Sequence, residues 1–167
     1  MTPKEFIKQY KPFALETERK TGISHLFTLA QAALETGWAK SVPGNMFFGV
    51  KAGKDTPANK KQLLNTTEVL NAPNLGYKFP QVMSIYQLPN GKYKYEVKDW
   101  FRKYDTPEEC FTDHAQFFFK NKRYAKALDV RSDPCKFAEE VAKAGYATAP
   151  NYADSLKKII KKLESYV

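Results

Sequence analysis

The 167-residue chain is long enough for one domain carrying a smaller lobe, and 43% hydrophobic content with 12 Phe and 10 Tyr supplies a packed core, which excludes a disordered chain. Nowhere does the sequence hold about 18 apolar residues in a row, so no membrane-spanning segment is expected. The formal charge of +9 favours a polyanionic surface as partner, whether nucleic acid, anionic cell wall or phospholipid, without choosing among them.

Thr2-Pro3-Lys4-Glu5 reads as a capping box with proline at the first helical position, opening a helix on Phe6, Ile7 and Tyr10. Pro12 is expected to kink or restart it, and Gly22 to end it. Ser24 is a candidate N-cap for a second helix reaching about Thr36. Leu26, Leu29, Ala30, Ala33 and Leu34 make its predicted buried face. Glu35 points away from that stripe and shares its face with Thr28 and Gln31, the pattern of a helix lining a cleft. Gly37 supplies the stop and Pro43-Gly44-Asn45 a turn, followed by an exposed loop over 51–61.

From Gln62 the apolar period changes to two, and Gln62–Leu70 reads as a strand. Val82, Ser84, Tyr86 and Leu88 alternate up to Pro89-Asn90-Gly91, and Tyr93, Tyr95 and Val97 continue beyond it. This predicts a hairpin closed by an Asn-Gly tight turn. The segment 62–104 is therefore expected to be a small antiparallel β lobe inserted between helical parts of a single domain, 1–167. A second capping box at Thr106-Pro107-Glu108-Glu109 opens a helix with Cys110, Phe111, His114, Phe117 and Phe118 as its apolar stripe. Another helix is expected from Asp133-Pro134 to Gly145, and a last one from about Pro150 with Tyr152, Ala153, Leu156, Ile159, Ile160 and Leu163 inward. The order of elements predicts an α+β fold. Cys110 and Cys135 read as free thiols, and two scattered histidines and two cysteines suggest no metal.

Glu35 is the residue that points to chemistry. A general acid active near neutral pH needs a raised pKa. The last helical turn disfavours a carboxylate, and neither Lys nor Arg stands at i±3 or i±4. Leu34 and Trp38 are apolar neighbours able to desolvate it. The alternative is a helix-end glutamate facing water, and what weighs against it is the Gly-Trp, Pro-Gly-Asn and Phe-Phe-Gly sequence that follows at once. A glycosidase also needs a second carboxylate, and Glu68, Glu96 and Asp99 are the candidates in the β lobe. Glu68 leads, because no basic residue adjoins it in sequence, whereas Lys94 and Lys98 flank Glu96.

The run LAQAALETGWAKSVPGNMFFGVKA resembles the signature of glycoside hydrolase family 73, the bacterial peptidoglycan N-acetylglucosaminidases of autolysins, flagellar muramidases and phage lysins. LNTTEVL, WFRKYDTPEECFTDHAQFF and AGYATAPNYADSL are similar to three further blocks of that family, in order and over nearly the whole chain. The resemblance implies a lysozyme-like α+β fold with a helical lobe and a β lobe flanking an active-site cleft. It implies hydrolysis of the β-1,4 bond between N-acetylglucosamine and N-acetylmuramic acid, without a cofactor. By the same match Glu35 stands at the family's catalytic acid, Glu68 at its β-lobe glutamate and Tyr146 at the tyrosine near the acid. Asn45, Phe48, Trp38 and Asp113 fall at positions that would bind or shape substrate; a turn Asn, a core Phe, a buttressing Trp and a structural Asp are the alternatives. The chain departs from the pattern at Ala39, where the family has Gly, at Met46, where Asn is common, and at Ala149, where an Asp would cap the last helix.

A muramidase or lytic transglycosylase acting on the same polymer is the nearest enzymatic alternative, and a non-catalytic wall-binding domain the other. No recognition motif supports a nucleic-acid partner. The expected partner is the glycan strand of peptidoglycan, met by a monomer without membrane insertion. No apolar signal segment follows Met1, so the expected site of action is the wall, reached by release in the manner of a phage lysin or by another export route.

Overall fold

A computed structural model describes residues 1–166. Two compact units emerge, one formed by 1–48 with 104–167 and the other by 49–103. The first is helical and the second holds a three-stranded antiparallel sheet, so the chain is α+β as the order of elements predicts.

In the helical unit, helix α1 (Pro3–Thr21) begins at the predicted capping box, with Thr2 and Glu5 bonded reciprocally. It runs unbroken through Pro12 to Gly22, whose φ of 79° allows the left-handed cap. Pro12, expected to kink or restart the helix, does not end it. Both Pro12 and Lys8 are exposed, so the Lys8 carbonyl that loses its donor is open to water. Ser24 caps α2 (His25–Thr36) through the Leu26 N–H. Thr106 caps α3 (Pro107–Lys120) through the Glu109 N–H, but only half of the second capping box forms, because the Glu109 carboxylate accepts from the Asp105 N–H instead.

The short helix α4 (Ala125–Leu128), which lacks a periodic stripe and was not anticipated, leads to α5 (Pro134–Lys143), capped by Asp133. Helix α6 (Tyr152–Glu164) follows, with Asn151 at its N-cap making no side-chain bond. Phe6, Phe27, Phe111, Phe118, Phe137, Leu156, Ile160 and Leu163 are among the fully buried core residues of this unit. Phe27, Phe118 and Phe137 meet edge to face in it, the arrangement aromatic quadrupoles favour.

In the sheet unit, β1 (Lys61–Leu70) and β2 (Gln81–Gln87) flank the central β3 (Tyr93–Arg102), in the order β1-β3-β2. Glu68 lies opposite Tyr95 and Leu64 opposite Asp99, so Glu68, Asp99, Tyr95 and Val97 share one face. The β2–β3 connection is not the two-residue Asn-Gly turn expected. Gly91 alone has a positive φ, 86°, and its N–H bonds the Leu88 carbonyl, while the Leu88 N–H bonds the Lys92 carbonyl. Pro89 has no N–H to bond the Lys92 carbonyl, as a two-residue turn would require, so the Leu88 N–H takes that carbonyl and leaves a three-residue loop closed by a left-handed glycine.

After α2 the chain takes three successive left-handed residues, Gly37 (φ 59°), Trp38 (φ 62°) and Ala39 (φ 61°). Thr36 braces the turn, its hydroxyl accepting from the Ala39 N–H at 2.8 Å and its carbonyl accepting from the Lys40 N–H at 3.0 Å. For Ala39 this conformation costs about 1–2 kcal/mol, which glycine would not incur. The Ala39→Gly variant is therefore expected to be more stable by about 0.5–1 kcal/mol, after allowing for the greater freedom of its unfolded chain. Urea unfolding checks this, with a higher midpoint and an unchanged slope.

Candidate active site

Helix α2 ends with Glu35 and Thr36 at the Gly37 cap, whose N–H bonds the Ala33 carbonyl. Of the face expected to be buried, Leu29, Ala30 and Ala33 are buried and Leu26 packs against the core, but the buried surface is wider than expected and leaves Leu34 out. Phe27 through Ala33 are all buried, Thr28 and Gln31 included, whereas Leu34 is 38% exposed. Gln31, expected to line a cleft, is enclosed instead, because its amide finds partners on α3 and α6. Gln31 is fully buried; its Nε2 donates to the Tyr152 hydroxyl at 2.9 Å, and its Oε1 lies 2.7 Å from His114 Nε2. The Tyr146 hydroxyl lies 3.4 Å from the same nitrogen.

Glu35 comes one turn after Gln31. It is exposed, yet the protein massed around it strips enough water to hold its carboxyl above the ordinary carboxylate value. Among the described residues it has no ion-pair or hydrogen-bond partner that would pull it back down. Burial pushes the Tyr146 phenol well up, with the charges of Tyr152, Glu35 and Tyr124 adding to it. Tyr152 is pushed up to about 12, chiefly by burial, and the charge of Glu35 acts on it too. Burial pushes His114 down to about 3, so it is a neutral imidazole at any working pH. Phe48 stacks on that ring at 3.8 Å and Phe117 lies parallel to it at 6.0 Å.

The helical unit thus gathers Glu35, Tyr146 and Phe48 around the α2 terminus through Gln31, His114 and Tyr152. Sequence inspection placed His114 in an apolar stripe and Gln31 on a cleft wall, and missed that they meet. The only local hint was His114 itself, a polar residue within an apolar stripe; nothing in the periodicity marked Gln31 for burial.

The other sequence candidates of this unit hold the surrounding loop. Asn45, with φ 55°, donates its Nδ2 to the Tyr104 carbonyl at 3.1 Å, and the Gly44 carbonyl accepts the Tyr104 N–H. Asp113 accepts the Tyr104 hydroxyl at 2.6 Å. Trp38 packs edge to face on Phe6, with the Lys162 ammonium 6.0 Å above its ring. Met46 and Phe48 pack against the core. The Cys110 thiol is buried and pushed up to about 12, and its sulfur accepts the Phe47 N–H at 3.4 Å; Cys135 is also free. Among the described residues no group of three or more His, Cys, Asp or Glu could hold a metal ion.

In the sheet unit Glu68 does have a cation, against the sequence expectation. Lys51, seventeen residues earlier, sets its ammonium 2.6 Å from Glu68 and 3.2 Å from Asp99. Lys51 is brought there by its bridge to Phe101 at the end of β3. The hydrogen bonds to the two carboxylates outweigh its desolvation and hold the lysine above its ordinary value. Glu96, the third candidate, accepts from the Thr67 hydroxyl and lies 3.7 Å from Lys94 on the opposite face.

A family model described as mannosyl-glycoprotein endo-beta-N-acetylglucosaminidase matches residues 11–165. The peptidoglycan hydrolase FlgJ of Pseudomonas aeruginosa is 31% identical over 169 residues, an alignment spanning 97% of this chain and 37% of that protein. The chain spans less than half the length of the curated relatives it matches. A C-terminally truncated glycoside hydrolase domain of FlgJ from Salmonella typhimurium superposes with a TM-score of 0.73 at 30% identity, covering 98% of this chain and 99% of that one. A peptidoglycan hydrolase mutant from Sphingomonas sp. A1 superposes with a TM-score of 0.67, also at 30% identity, over 98% and 97% of the two chains.

The raised Glu35 carboxyl has a consequence for stability. Below its ordinary value of 4.5 the group is neutral in both folded and unfolded chains and costs nothing. As pH rises through 4.5 and on past the raised folded value, the unfolded chain ionises more readily and stability is lost. Glu35→Gln is expected to melt higher than the parent at pH 7 and level with it at pH 4, as calorimetry at the two pH values would show.

Proposed function

Because the chain belongs to the glucosaminidase family, we propose that it is a glycoside hydrolase that cuts the glycan strand of bacterial peptidoglycan. The bond is the β-1,4 linkage between N-acetylglucosamine and N-acetylmuramic acid, and the site of action is the cell wall. The observation that carries this reading is Glu35 itself. It is a carboxyl at a helix C-terminus, held above its ordinary value by partial desolvation and, among the described residues, without a cation.

A glycosidic oxygen leaves poorly as an alkoxide, so bond breaking needs a proton delivered as the bond stretches. A carboxyl that keeps its proton to higher pH can deliver it. Glu35 then becomes a carboxylate, and the neutral His114 behind it adds no cation that would hold the proton off afterwards. Glu68, ion-paired with Lys51, is suited to the opposite role of accepting a proton from water or balancing positive charge on the sugar ring. Tyr146 is within reach of the Glu35 charge and offers a phenolic O–H rather than a phenolate. The excess of 27 basic over 18 acidic residues would draw the protein to anionic wall.

Glu35→Gln is expected to leave wall binding intact and cut hydrolysis by a factor of about 10²–10⁴, the usual worth of a general acid. Mass analysis of digested peptidoglycan identifies the bond. Reducing-end N-acetylglucosamine supports the assignment, reducing-end N-acetylmuramic acid would make the protein a muramidase, and anhydro ends a lytic transglycosylase. Undiminished lysis by the variant would remove Glu35 from the chemistry. The rate should also fall as pH rises through the raised value of Glu35, since the protonated form is the donor.

A further inference from the structure

The buried polar groups behind Glu35 have a direction. An amide oxygen can only accept, so the 2.7 Å contact between Gln31 Oε1 and His114 Nε2 requires the hydrogen to sit on that nitrogen. A neutral imidazole has one N–H, so Nδ1 of His114 is bare. The Tyr146 oxygen, 3.4 Å from the same Nε2, therefore faces a nitrogen that already carries its hydrogen and can meet it only as an acceptor. At the other end Gln31 Nε2 donates to the Tyr152 oxygen at 2.9 Å. Both phenolic oxygens thus accept from the interior, and neither phenolic hydrogen is used. Among the described residues neither hydroxyl has another hydrogen-bond partner. The two rings stack with centroids 5.6 Å apart, and the charge of Glu35 acts on both.

We propose that Gln31 and His114 are positioning residues, forming a one-way hydrogen-bond relay that presents Tyr146 and Tyr152 as a pair of outward O–H donors to the Glu35 site. Tyr152 thereby joins the site, although the sequence shows it only as an inward residue of the last helix. The reverse direction would need the other histidine tautomer and a turned Gln31 amide. Tyr146 would then donate to His114 and Tyr152 to Gln31, and both hydrogens would be lost to the interior. Phe48 and Phe117, parallel to the imidazole, bring no charge that would favour its protonation. The groups facing His114 from the elements around it are Gln31 and Tyr146, both neutral.

The catalytic consequence rests on the reading of Glu35 given above, whereas the hydrogen-bond direction does not. Long-range proton–nitrogen correlation on the ¹⁵N-labelled protein between pH 6 and 8 reads the tautomer directly, and His114→Gln identifies the signal by its loss. The neutral Nε2–H form is expected throughout. An Nδ1–H tautomer, or an imidazolium at pH 6, would overturn the relay. In the kinetic arm Tyr152→Phe keeps the stacked ring and removes only the hydroxyl. On soluble glycan fragments its kcat should fall about tenfold with KM within about twofold, while the melting temperature drops by a few degrees because the buried Gln31 amide loses its acceptor. An unchanged kcat would take Tyr152 out of the site. If Glu35→Gln proved fully active, the general-acid assignment would fail while the tautomer result stood on its own.

Discussion

The amide of Gln31 is the point at which three parts of the helical unit are held in register. It is fully buried, and each end of it is bonded to a different helix, Tyr152 on α6 and His114 on α3. A buried amide left without either partner would cost about 1–3 kcal/mol for each unsatisfied group, so the three helices are fixed against one another more tightly than oily packing alone would fix them. Apolar contacts tolerate sliding, and a two-ended amide does not. Glu35 is one turn further along the same helix, and its placement follows from that of Gln31.

The segment after α2 carries the constraint outward. Three left-handed residues reverse the chain beyond Glu35, and Thr36 braces the reversal with its hydroxyl and its carbonyl. The loop then returns through Asn45 and Gly44, both bonded to the Tyr104 backbone, so that Phe48 arrives on the His114 ring. The same histidine is therefore held edgewise by Gln31 and on its face by Phe48. An imidazole so enclosed stays neutral, and a neutral imidazole can serve as a structural donor without changing its charge as the acid beside it gains or loses a proton.

The sheet unit solves a different problem. Glu68 and Asp99 stand on one face of adjacent strands, where two carboxylates would repel. Lys51 sits across both, and its bridge to Phe101 ties it to the sheet. An ion pair of this exposure adds little to stability. Its effect is on chemistry, because it holds Glu68 in a cationic setting while Glu35, in its own unit, has none. Under the function proposed above, these contrasting surroundings are what would suit Glu35 to donate a proton and Glu68 to accept one.

Much of the fold is legible in the linear chain. The caps at Thr2, Ser24, Thr106 and Asp133, the stops at Gly22 and Gly37, and the change of period at the first strand all act within a few residues, and the helices and strands follow them. The exposed charge of Glu35 at a helix end free of lysines is local in the same sense. What the linear chain does not show is which partners close over a polar stripe. Gln31 reads as cleft lining until His114 and Tyr152, 83 and 121 residues away, enclose it. Glu68 reads as free of cations until Lys51 is brought alongside by the sheet. By itself the sequence determined the elements, their order and the acid at the end of α2, because hydrogen bonding and periodicity along a chain are short-ranged. Burial and charge pairing act across space, so only the tertiary structure decided that the polar groups beside that acid form a directed chain.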